Sequence, residues 1–220
     1  MFFRKGAMFG LDARIALAIF GALSLISGAS LYSAIEDSKN TATVQSLLEV
    51  EKAIEAYMLD LGEMADYSED ADIMELSCLV DNYGNCSAPA RLWKGPYLDG
   101  KSSSGVYWAL NTTVLRDSEL DDVLEAFRFA GSTWTGTDAD LPVSCSGRDC
   151  FIYLAYGDEY TSGGRGNAST VAKINSLYTR LDKYVDNGDG ARAGKIRKGA
   201  QPYGGVAVYI KTAISERKAP

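Results

Sequence analysis

The sequence predicts an α+β protein in which one long amino-terminal helix leads into a globular domain built on a small antiparallel sheet. Three observations predict it. Residues 15–35 contain no charged side chain, helical periodicity continues beyond them to Leu61, and the remaining chain alternates short strand-like segments with helical ones and loops. With 220 residues, 46% of them hydrophobic, the chain is long enough for one domain beyond the apolar segment.

The first element is a helix predicted over residues 8–61. Its uncharged part, residues 15–35, is long enough to cross the roughly 30 Å hydrocarbon core of a bilayer at about 1.5 Å per residue. Gly62 is the expected end of the helix. Beyond the uncharged part, apolar residues at helical spacing predict a face that packs on the globular domain: Val44, Leu47, Leu48, Ala53, Ile54 and Tyr57.

The later elements are predicted from shorter patterns. Helices are expected where apolar residues recur every three or four positions, at 72–79, 117–129 and 170–184. Dense apolar or alternating runs predict strands at 106–110, 151–156 and 205–211, with a turn at 99–105 before the first of them. Short strands separated by loops and helices favour an antiparallel sheet packed on the long helix, with additional short helices.

Charge is distributed unevenly around the apolar segment. Arg4, Lys5 and Arg14 precede it, whereas Glu36 and Asp37 follow it, so the positive-inside rule places the amino terminus in the cytoplasm and the globular part outside. The formal net charge is −7, which argues against binding to nucleic acid. A cleaved secretory signal is disfavoured because the apolar run exceeds 7–15 residues and the helix continues past it. An uncleaved anchor that carries a periplasmic binding module stays open.

Cysteine and histidine usage limits the chemistry. Four cysteines in an exported chain indicate disulfides, and sequence proximity favours Cys78–Cys86 and Cys145–Cys150 among the three possible pairings. Zinc is disfavoured because the spacings are not C-x₂-C and the chain has no histidine. Without histidine, Ser-His-Asp and Cys-His catalysis are excluded, and no tight motif groups the carboxylates and lysines. The sequence therefore does not predict an enzyme.

The amino-terminal segment RKGA-MFGLDARIALAIFGALSLISGASLYSAI resembles the type IV pilin and type II secretion pseudopilin family. That family has a short basic leader, which a peptidase removes on the cytoplasmic side, and an acid at the fifth mature position. Placing Gly21 on the glycine that recurs in the family's apolar stretch makes Met8 the first mature residue and Asp12 the acid. Cleavage would then follow Ala7, and a cut after Gly6 stays open.

The match departs from the family pattern in three ways. The acid is Asp rather than the usual Glu, Ala7 stands where glycine is usual before the cut, and the proline that usually follows the apolar half is missing, since the first proline is Pro89. Gly21, Gly28 and nearby serines could soften the helix instead, because glycine weakens a helix by about 1 kcal/mol relative to alanine.

Two further stretches resemble the same family. LLEVEKAIEAYMLDLGEM (47–64) and ARLWKGPYL (90–98) are similar to members in which the first helix ends in a Tyr-x-x-Asp segment and a Gly-Pro-Tyr-Leu element opens the sheet. RLDKYVDNGDGARAGKIR (180–197) resembles a D-x-x-x-D-[DN]-G…G-x-[IV]-R element of some type IV pilins.

This carboxyl-terminal stretch raises the question of calcium, which some major pseudopilins hold in such a loop. The oxygen donors here are Asp182, Asp186, Asn187 and Asp189. Calcium requires six to eight oxygens, and the spacing is not that of an EF-hand. Asn-Gly and Asp-Gly are also common turn formers, so a plain turn and a calcium site both stay open. No other cofactor is expected.

The resemblance implies a type IV pilin-like organisation. Residues 1–7 are the cleaved leader, residues 8–35 the transmembrane and assembly half of the long helix, and residues 36–220 the periplasmic or extracellular domain, into which the helix continues to about residue 62. The predicted disulfides, Cys78–Cys86 and Cys145–Cys150, lie in that domain.

The function implied is that of a structural subunit, a pilin of a surface filament or fimbrium of the kind used in cell adhesion. Prepilin peptidase makes one cut, between Ala7 and Met8 or after Gly6, and the new amino terminus is N-methylated. Machinery in the bacterial inner membrane then assembles the subunits into a homo-oligomeric helical filament. Asp12, Arg14 and Gly21 are the expected assembly residues. A pseudopilin of a type II secretion system is the alternative.

Overall fold

The computed structural model describes residues 9–65, 73–82, 86, 89, 91–99, 101–103, 106–111, 123–137, 140–143, 145, 149–157, 168–202 and 205–216. The predicted cleavage residues Gly6, Ala7 and Met8 lie outside the described residues. The chain divides into two units, residues 1–42 and residues 43–220.

Helix α1, Phe9–Leu61, confirms the predicted long amino-terminal helix. It ends where expected, because Gly62 adopts a φ of 81° and its N–H donates to the Met58 carbonyl at 2.8 Å. A positive φ at the residue after a helix favours glycine, which has no Cβ to clash with the backbone.

In the second unit, α1 buries one stripe against the sheet. The stripe repeats every three or four residues and consists of Leu47, Val50, Ala53, Ile54 and Tyr57. The predicted amphipathic face is therefore confirmed in most of its residues. Leu48 differs, since it is 37% exposed, whereas Val50, absent from the predicted face, is fully buried. Burying such a stripe stabilises the helix far more than its intrinsic propensity does.

The structure is α+β, with one antiparallel sheet. The strands are β1 Ile73–Met74, β2 Lys101–Ser103, β3 Val106–Asn111, β4 Val123–Ala130, β5 Cys150–Gly157, β6 Ile196–Ala200 and β7 Val206–Glu216. They are ordered β2-β3-β4-β5-β7-β6, with β1 paired to β4 beside β3. A 3₁₀ helix, Leu76–Leu79, follows β1, and helix α2, Ala168–Val185, lies in sequence between β5 and β6.

The predictions for residues 151–156, 170–184 and 106–110 are confirmed as β5, α2 and β3, and the strand predicted at 205–211 is the first half of β7. The helix predicted at 117–129 is wrong: residues 112–122 lie outside the described residues, and Val123–Ala130 is strand β4. Leu124 and Ala126 belong to one core, whereas Phe127 and Phe129 belong to another across the sheet. Side chains of β4 alternate between the two faces of the sheet, as in a strand, although the apolar residues of this stretch also fit a helical spacing.

Two shorter predictions are also corrected. The helix predicted at 72–79 contains strand β1 followed by a 3₁₀ turn, because Ile73 and Met74 pair with Phe127 and Ala126 of β4. The turn predicted at 99–105 contains strand β2, which forms a hairpin with β3. Strand β6 was not predicted at all. Each of these strands is short and depends on its partner: β1 pairs with β4, which is distant in sequence, whereas β2 and β6 each pair with the strand that follows them.

The sheet separates two hydrophobic cores. The inner face carries the α1 stripe and α2, with Leu124, Ile152 and Leu154 contributed by the central strands. The opposite face carries a mainly aromatic group, here called the outer cluster, made of Ile73, Phe127, Phe129, Trp134, Tyr153, Ala155, Ala207 and Tyr209. Ring pairs such as Phe129–Trp134, at 5.8 Å between centroids, and Trp134–Tyr209, at 5.4 Å, pack edge to face.

Both predicted disulfide pairs are brought together. Cys78 pairs with Cys86 and Cys145 with Cys150, and the Cα atoms lie 5.4 Å apart in each pair, inside the usual range for a disulfide. The first bond starts from Cys78 within the 3₁₀ helix after β1, and the second joins the start of β5 to the chain that precedes it.

The inner core gives the first test. Ile54 is 1% exposed in the α1 stripe, so Ile54→Ala should lower the free energy of unfolding by about 2–5 kcal/mol. Leu59→Ala removes the same number of carbons on the same helix, but Leu59 is 85% exposed and its loss should change stability by less than about 0.5 kcal/mol. Chemical denaturation of the detergent-solubilised chain measures both. Equal effects would contradict the assignment of this stripe.

Candidate functional site

The most unusual surface of the described chain is the amino-terminal part of α1. Its large apolar side chains are exposed on every side of the helix: Ile15, Leu17, Ile19, Phe20, Leu23, Leu25, Ile26, Leu31, Tyr32 and Ile35. By length and composition this helix could cross a membrane. We call residues 15–35 the apolar segment. A contiguous apolar surface of this size marks a site that contacts lipid or another protein.

The predicted assembly residues lie at or within this segment. Asp12 and Arg14 are exposed in the first turns of α1, immediately before the apolar segment begins. Gly21 lies inside the segment, and apart from its chain neighbours and the adjacent helix backbone no described atom comes within 4 Å of the position that a Cβ would take there. Nothing in a single copy therefore requires glycine at this position, although glycine weakens a helix by about 1 kcal/mol relative to alanine.

The two motif stretches at 47–64 and 90–98 contact one another at the end of α1. The ammonium of Lys94 lies 2.8 Å from Asp60 Oδ1, and the Tyr97 hydroxyl donates to Asp60 Oδ2 at 3.0 Å. The backbone N–H of Lys94 donates to the Tyr97 hydroxyl at 3.0 Å. The Tyr97 ring packs edge to face on Tyr57 of the α1 stripe. We call Asp60, Lys94 and Tyr97 the helix-end clamp.

The clamp continues towards the first disulfide. Trp93 packs edge to face on Tyr97, and its indole N–H donates to the carbonyl of Cys78 at 3.0 Å. The N–H groups of Tyr97 and Leu98 both donate to the carbonyl of Leu79. The segment before β2 is thus attached at once to the end of α1 and to the turn that holds Cys78.

The contacts within the helix-end clamp shift the pKa of each of its three side chains. The hydrogen bond from Lys94 lowers the pKa of Asp60 below its ordinary value of 3.8, and the Tyr97 hydroxyl adds to this effect. The same contact raises the pKa of Lys94, and burial raises that of Tyr97. A lowered carboxyl pKa in the folded state contributes stability above the unfolded pKa, which is lost as the pH falls through the folded pKa.

A second group of polar residues lies at the carboxyl end of α2. The carboxylates of Asp182, Asp186 and Asp189 approach one another, with one oxygen from each within 4.8 Å of the others. Desolvation, together with the charges of Asp186 and Asp182, raises the pKa of Asp189. By linkage, a raised carboxyl pKa is a cost to stability at neutral pH that is relieved as the pH falls. We call residues 182–194 the acidic turn.

Hydrogen bonds from backbone N–H groups to the Asp186 carboxylate connect the acidic turn to the start of strand β6. Asp186 Oδ2 accepts the N–H of Lys195, at 2.7 Å, and that of Ile196. Gly194 adopts a φ of 67°, and a Cβ there would lie 2.5 Å from carboxylate oxygens of Asp186 and Asp189. Glycine at this position therefore lets the chain pass beside the two acids. The residues that the D-x-x-x-D…G-x-[IV]-R pattern spaces along the sequence meet in one place.

The donor set of the acidic turn fits a hard divalent cation. Asp182 is only 6% exposed, its Oδ2 accepts the Tyr178 hydroxyl at 3.0 Å, and its Oδ1 has no hydrogen-bond partner among the described residues. Carboxylate oxygens are the preferred ligands of calcium. Asn187, the fourth predicted donor, is exposed with a φ of 58° and is followed by Gly188 at 79°, which makes it first of all a turn residue.

Another buried acid has a structural role. Glu51 lies in the α1 stripe region, 8% exposed, and its carboxylate accepts the backbone N–H of Ala213. Strand β6 pairs with β7 only as far as Ile210, so Ala213 lies beyond the paired part of that edge. The helix therefore supplies the acceptor that a neighbouring strand would otherwise provide.

Family models, curated proteins and solved structures were compared with the chain, and none of them matches it.

Sequence reasoning identified the acids of the acidic turn and the segment before β2, but not the partners that they have. Arg197 is the last residue of the stretch 180–197, and no role was predicted for it. In the structure it is 3% exposed and donates to three backbone carbonyls. Lys94 and Asp60 are 34 residues apart, and no local spacing pairs them. No local pattern marked Arg197 as buried, because it lies among the charged residues Lys195 and Lys198.

The helix-end clamp gives a prediction about pH. Asp60→Asn removes a carboxylate whose pKa is lowered in the folded state, so this variant should lose less stability than the parent chain when the pH falls from neutrality to below 3.8. Denaturation midpoints across that range measure the effect. Glu55→Gln, at an exposed acid of the same helix, should follow the parent profile. Identical profiles for Asp60→Asn and the parent would contradict the pairing.

Proposed function

We propose that this chain is a structural subunit, a pilin of a type IV pilus-like filament, that polymerises through its amino-terminal helix after removal of a leader. Before assembly the subunit resides in the bacterial inner membrane with its amino terminus in the cytoplasm and residues 36–220 in the periplasm. A prepilin peptidase and an inner-membrane assembly machinery are the partners that this proposal requires.

One observation carries the proposal: the apolar segment is exposed on all sides in the single chain. The stripe at 47–57 buries only one face of its helix, whereas residues 15–35 offer apolar side chains all round. A surface of this kind is stable in lipid, and equally among copies of the same segment at the centre of a filament. Transfer from the bilayer into such a centre exchanges one apolar environment for another.

In the proposed filament, Asp12 determines how neighbouring helices are aligned along their length. A charged side chain within a membrane-spanning segment is costly and normally needs a partner. In the proposed filament that partner is the ammonium group at the mature amino terminus of a neighbouring copy. The two charges meet only when the helices stack in the correct register, so misaligned copies retain an unpaired carboxylate. Arg14, two residues further on, keeps a positive charge near the cytoplasmic face.

A pseudopilin of a type II secretion system is the second candidate. The observation that favours it is the helix-end clamp, in which the ARLWKGPYL stretch contacts the Tyr-x-x-Asp end of α1. The cysteine pairs and the acidic turn favour the pilus. Both candidates share leader removal and polymerisation, and they differ in whether the filament extends beyond the cell surface.

Replacement of Asp12 tests the assembly role. Asp12→Ala should leave the subunit folded, with both disulfides formed, but should lower filament yield by at least about tenfold, since a charge-assisted pairing contributes about 1.5–3 kcal/mol. Asp12→Glu should retain most of the yield. Filaments sheared from cells that contain the peptidase and assembly machinery would be quantified against total subunit.

Asp37→Ala is the matched control, since it removes one exposed acid on the far side of the apolar segment. It should assemble normally. Normal filament yield from Asp12→Ala would remove the proposed role of the carboxylate.

The mature amino terminus provides an independent test. Mass spectrometry of the chain recovered from membranes should find it beginning at Met8, or at Ala7 if the cut follows Gly6, and carrying an N-methyl group. In cells without the peptidase the chain should keep residues 1–7. A full-length amino terminus in the presence of the peptidase, together with a dispersed single-copy state in detergent, would favour a plain anchored binding module instead.

A further inference from the structure

Leu59, near the end of α1, is the most exposed of the large apolar side chains that the structure describes. It is 85% exposed, against 78% for Leu25 of the apolar segment. Leu59 belongs to the unit of residues 43–220, which the proposed function places outside the membrane, so lipid does not cover it. Single exposed leucines are common on protein surfaces, and the meaning of this one depends on what else the surface offers.

The same unit carries an apolar groove on the flank of α1. The groove has a volume of about 340 Å³ and lies between α1, the end of α2 and strands β5, β6 and β7. Most of its walls are apolar, among them Leu48 of α1, Val185 of α2 and Ile196 of β6. Leu48, which the sequence predicts on the buried face but which is 37% exposed, lines this groove. An apolar group placed in the groove would therefore bury Leu48.

The groove also has a positive charge that no residue of its own unit neutralises. Of the two charged side chains that line it, Glu51 accepts the backbone N–H of Ala213. The other, Lys195, makes no ion pair with any of the described residues. A lysine at the side of an apolar groove favours an occupant that has a negative charge next to its apolar group.

Leu59 has charges of the opposite sign close to it. Glu55 precedes it by four residues and so lies on the same side of α1, and Glu63 follows it just beyond the helix. Both acids are exposed, and neither makes an ion pair within the described part of the chain. Leu59 with Glu55 thus complements the groove with Lys195 in both apolar character and charge.

The leucine and the groove lie at different heights along α1. Leu48 precedes Leu59 by eleven residues, which is about 17 Å along a helix. In the proposed filament all copies point the same way, so two copies cannot exchange leucine and groove reciprocally: a shift that fits one contact moves the other pair further apart. Each contact leaves a leucine on one copy and a groove on the other, and such a head-to-tail contact adds copies without closing.

We infer that Leu59 of one copy inserts into the groove at Leu48 of a neighbouring copy, and that Glu55 of the first copy pairs with Lys195 of the second. This inference rests on the proposed function, because it assigns a contact between the globular units of copies that share one filament. The contact is separate from the pairing of Asp12 and from the packing of the apolar segments.

Removal of the leucine tests the contact in cells that contain the peptidase and the assembly machinery. Leu59→Ala should lower the yield of sheared filaments by at least about tenfold, because the burial of a leucine between copies is lost. The unfolding midpoint of the subunit should stay unchanged, since Leu59 is not buried within one copy. Leu141→Ala, the same change at a leucine that is 56% exposed elsewhere on the unit, should assemble normally.

Charge reversal tests the proposed ion pair. Glu55→Lys and Lys195→Glu should each lower the yield by about fivefold, and the double variant should recover most of the loss, because the pair is restored with its signs exchanged. Glu49→Lys, at another exposed acid of α1, should keep the yield of the parent chain. Should Lys195→Glu fail to fold, Glu55→Lys and the crosslink described next still decide.

A photo-crosslink identifies what occupies the groove. The chain with p-benzoyl-phenylalanine in place of Leu59 would be irradiated both in membranes and in sheared filaments, and the joined peptides would be identified by mass spectrometry. The products should join position 59 of one copy to residues 44–51 or 195–196 of another. The same probe in place of Leu141 should not give these products.

The outcomes separate this contact from the filament itself. Crosslinks to lipid, to another protein or to other residues of a second copy would overturn the contact and leave the filament standing, as would normal yield from Leu59→Ala. Crosslinks to the groove in membranes, without filaments, would retain the contact and overturn the filament. A parent chain that gives neither filaments nor crosslinks between copies would overturn both.

Discussion

The globular part of this protein depends on the packing of one helical stripe against the inner face of the sheet. Leu47, Val50, Ile54 and Tyr57 lie one above another along α1 and meet the inward side chains of β4, β5 and β7. The antiparallel sheet has apolar side chains on both faces that must be buried, and α1 and α2 bury those on the inner face. Other features of α1 follow from this contact: Glu51 accepts the N–H of Ala213, and Asp60 reaches the segment before β2.

The same helix meets a different requirement in its amino-terminal half. The apolar segment has no polar face, so no arrangement against a single sheet could bury it completely. A helix that is apolar all round is stable only in lipid or within a large apolar assembly. The acids that follow the segment, Glu36 and Asp37, mark where that environment must end. The proposed filament satisfies this requirement by surrounding each segment with its copies.

The outer face of the sheet is covered in another way. No helix of the described chain packs there; aromatic rings from the strands and from Trp134 cover it, and the guanidinium of Arg197 lies over the rings of Trp134 and Tyr153. A buried arginine among rings is stable because carbonyl oxygens receive its N–H groups and aromatic faces receive its charge. Arg197 connects the outer cluster to the acidic turn, because its Nε–H donates to the carbonyl of Gly194.

The elements with long, regular patterns could be predicted from sequence alone. The extent of α1, its end at Gly62, helix α2 and strand β5 each depend on local periodicity or on a glycine with positive φ, and neighbouring residues suffice to specify them. The pairing of cysteines five and eight residues apart is likewise a local matter.

Only the tertiary structure decided the rest. Residues 123–130 have apolar side chains at spacings that suit a helix as well as a strand, and the choice of strand comes from β5, which pairs along the whole length of β4. The contacts of Asp60 with Lys94, of Glu51 with Ala213 and of Arg197 with Ser132 join residues 34 to 162 positions apart. Local sequence determines which segments can form helices and which side chains carry charge. The partners of those charges depend on which segments the sheet brings together, because hydrogen bonds and ion pairs form over a few ångströms in space, whatever the distance along the chain.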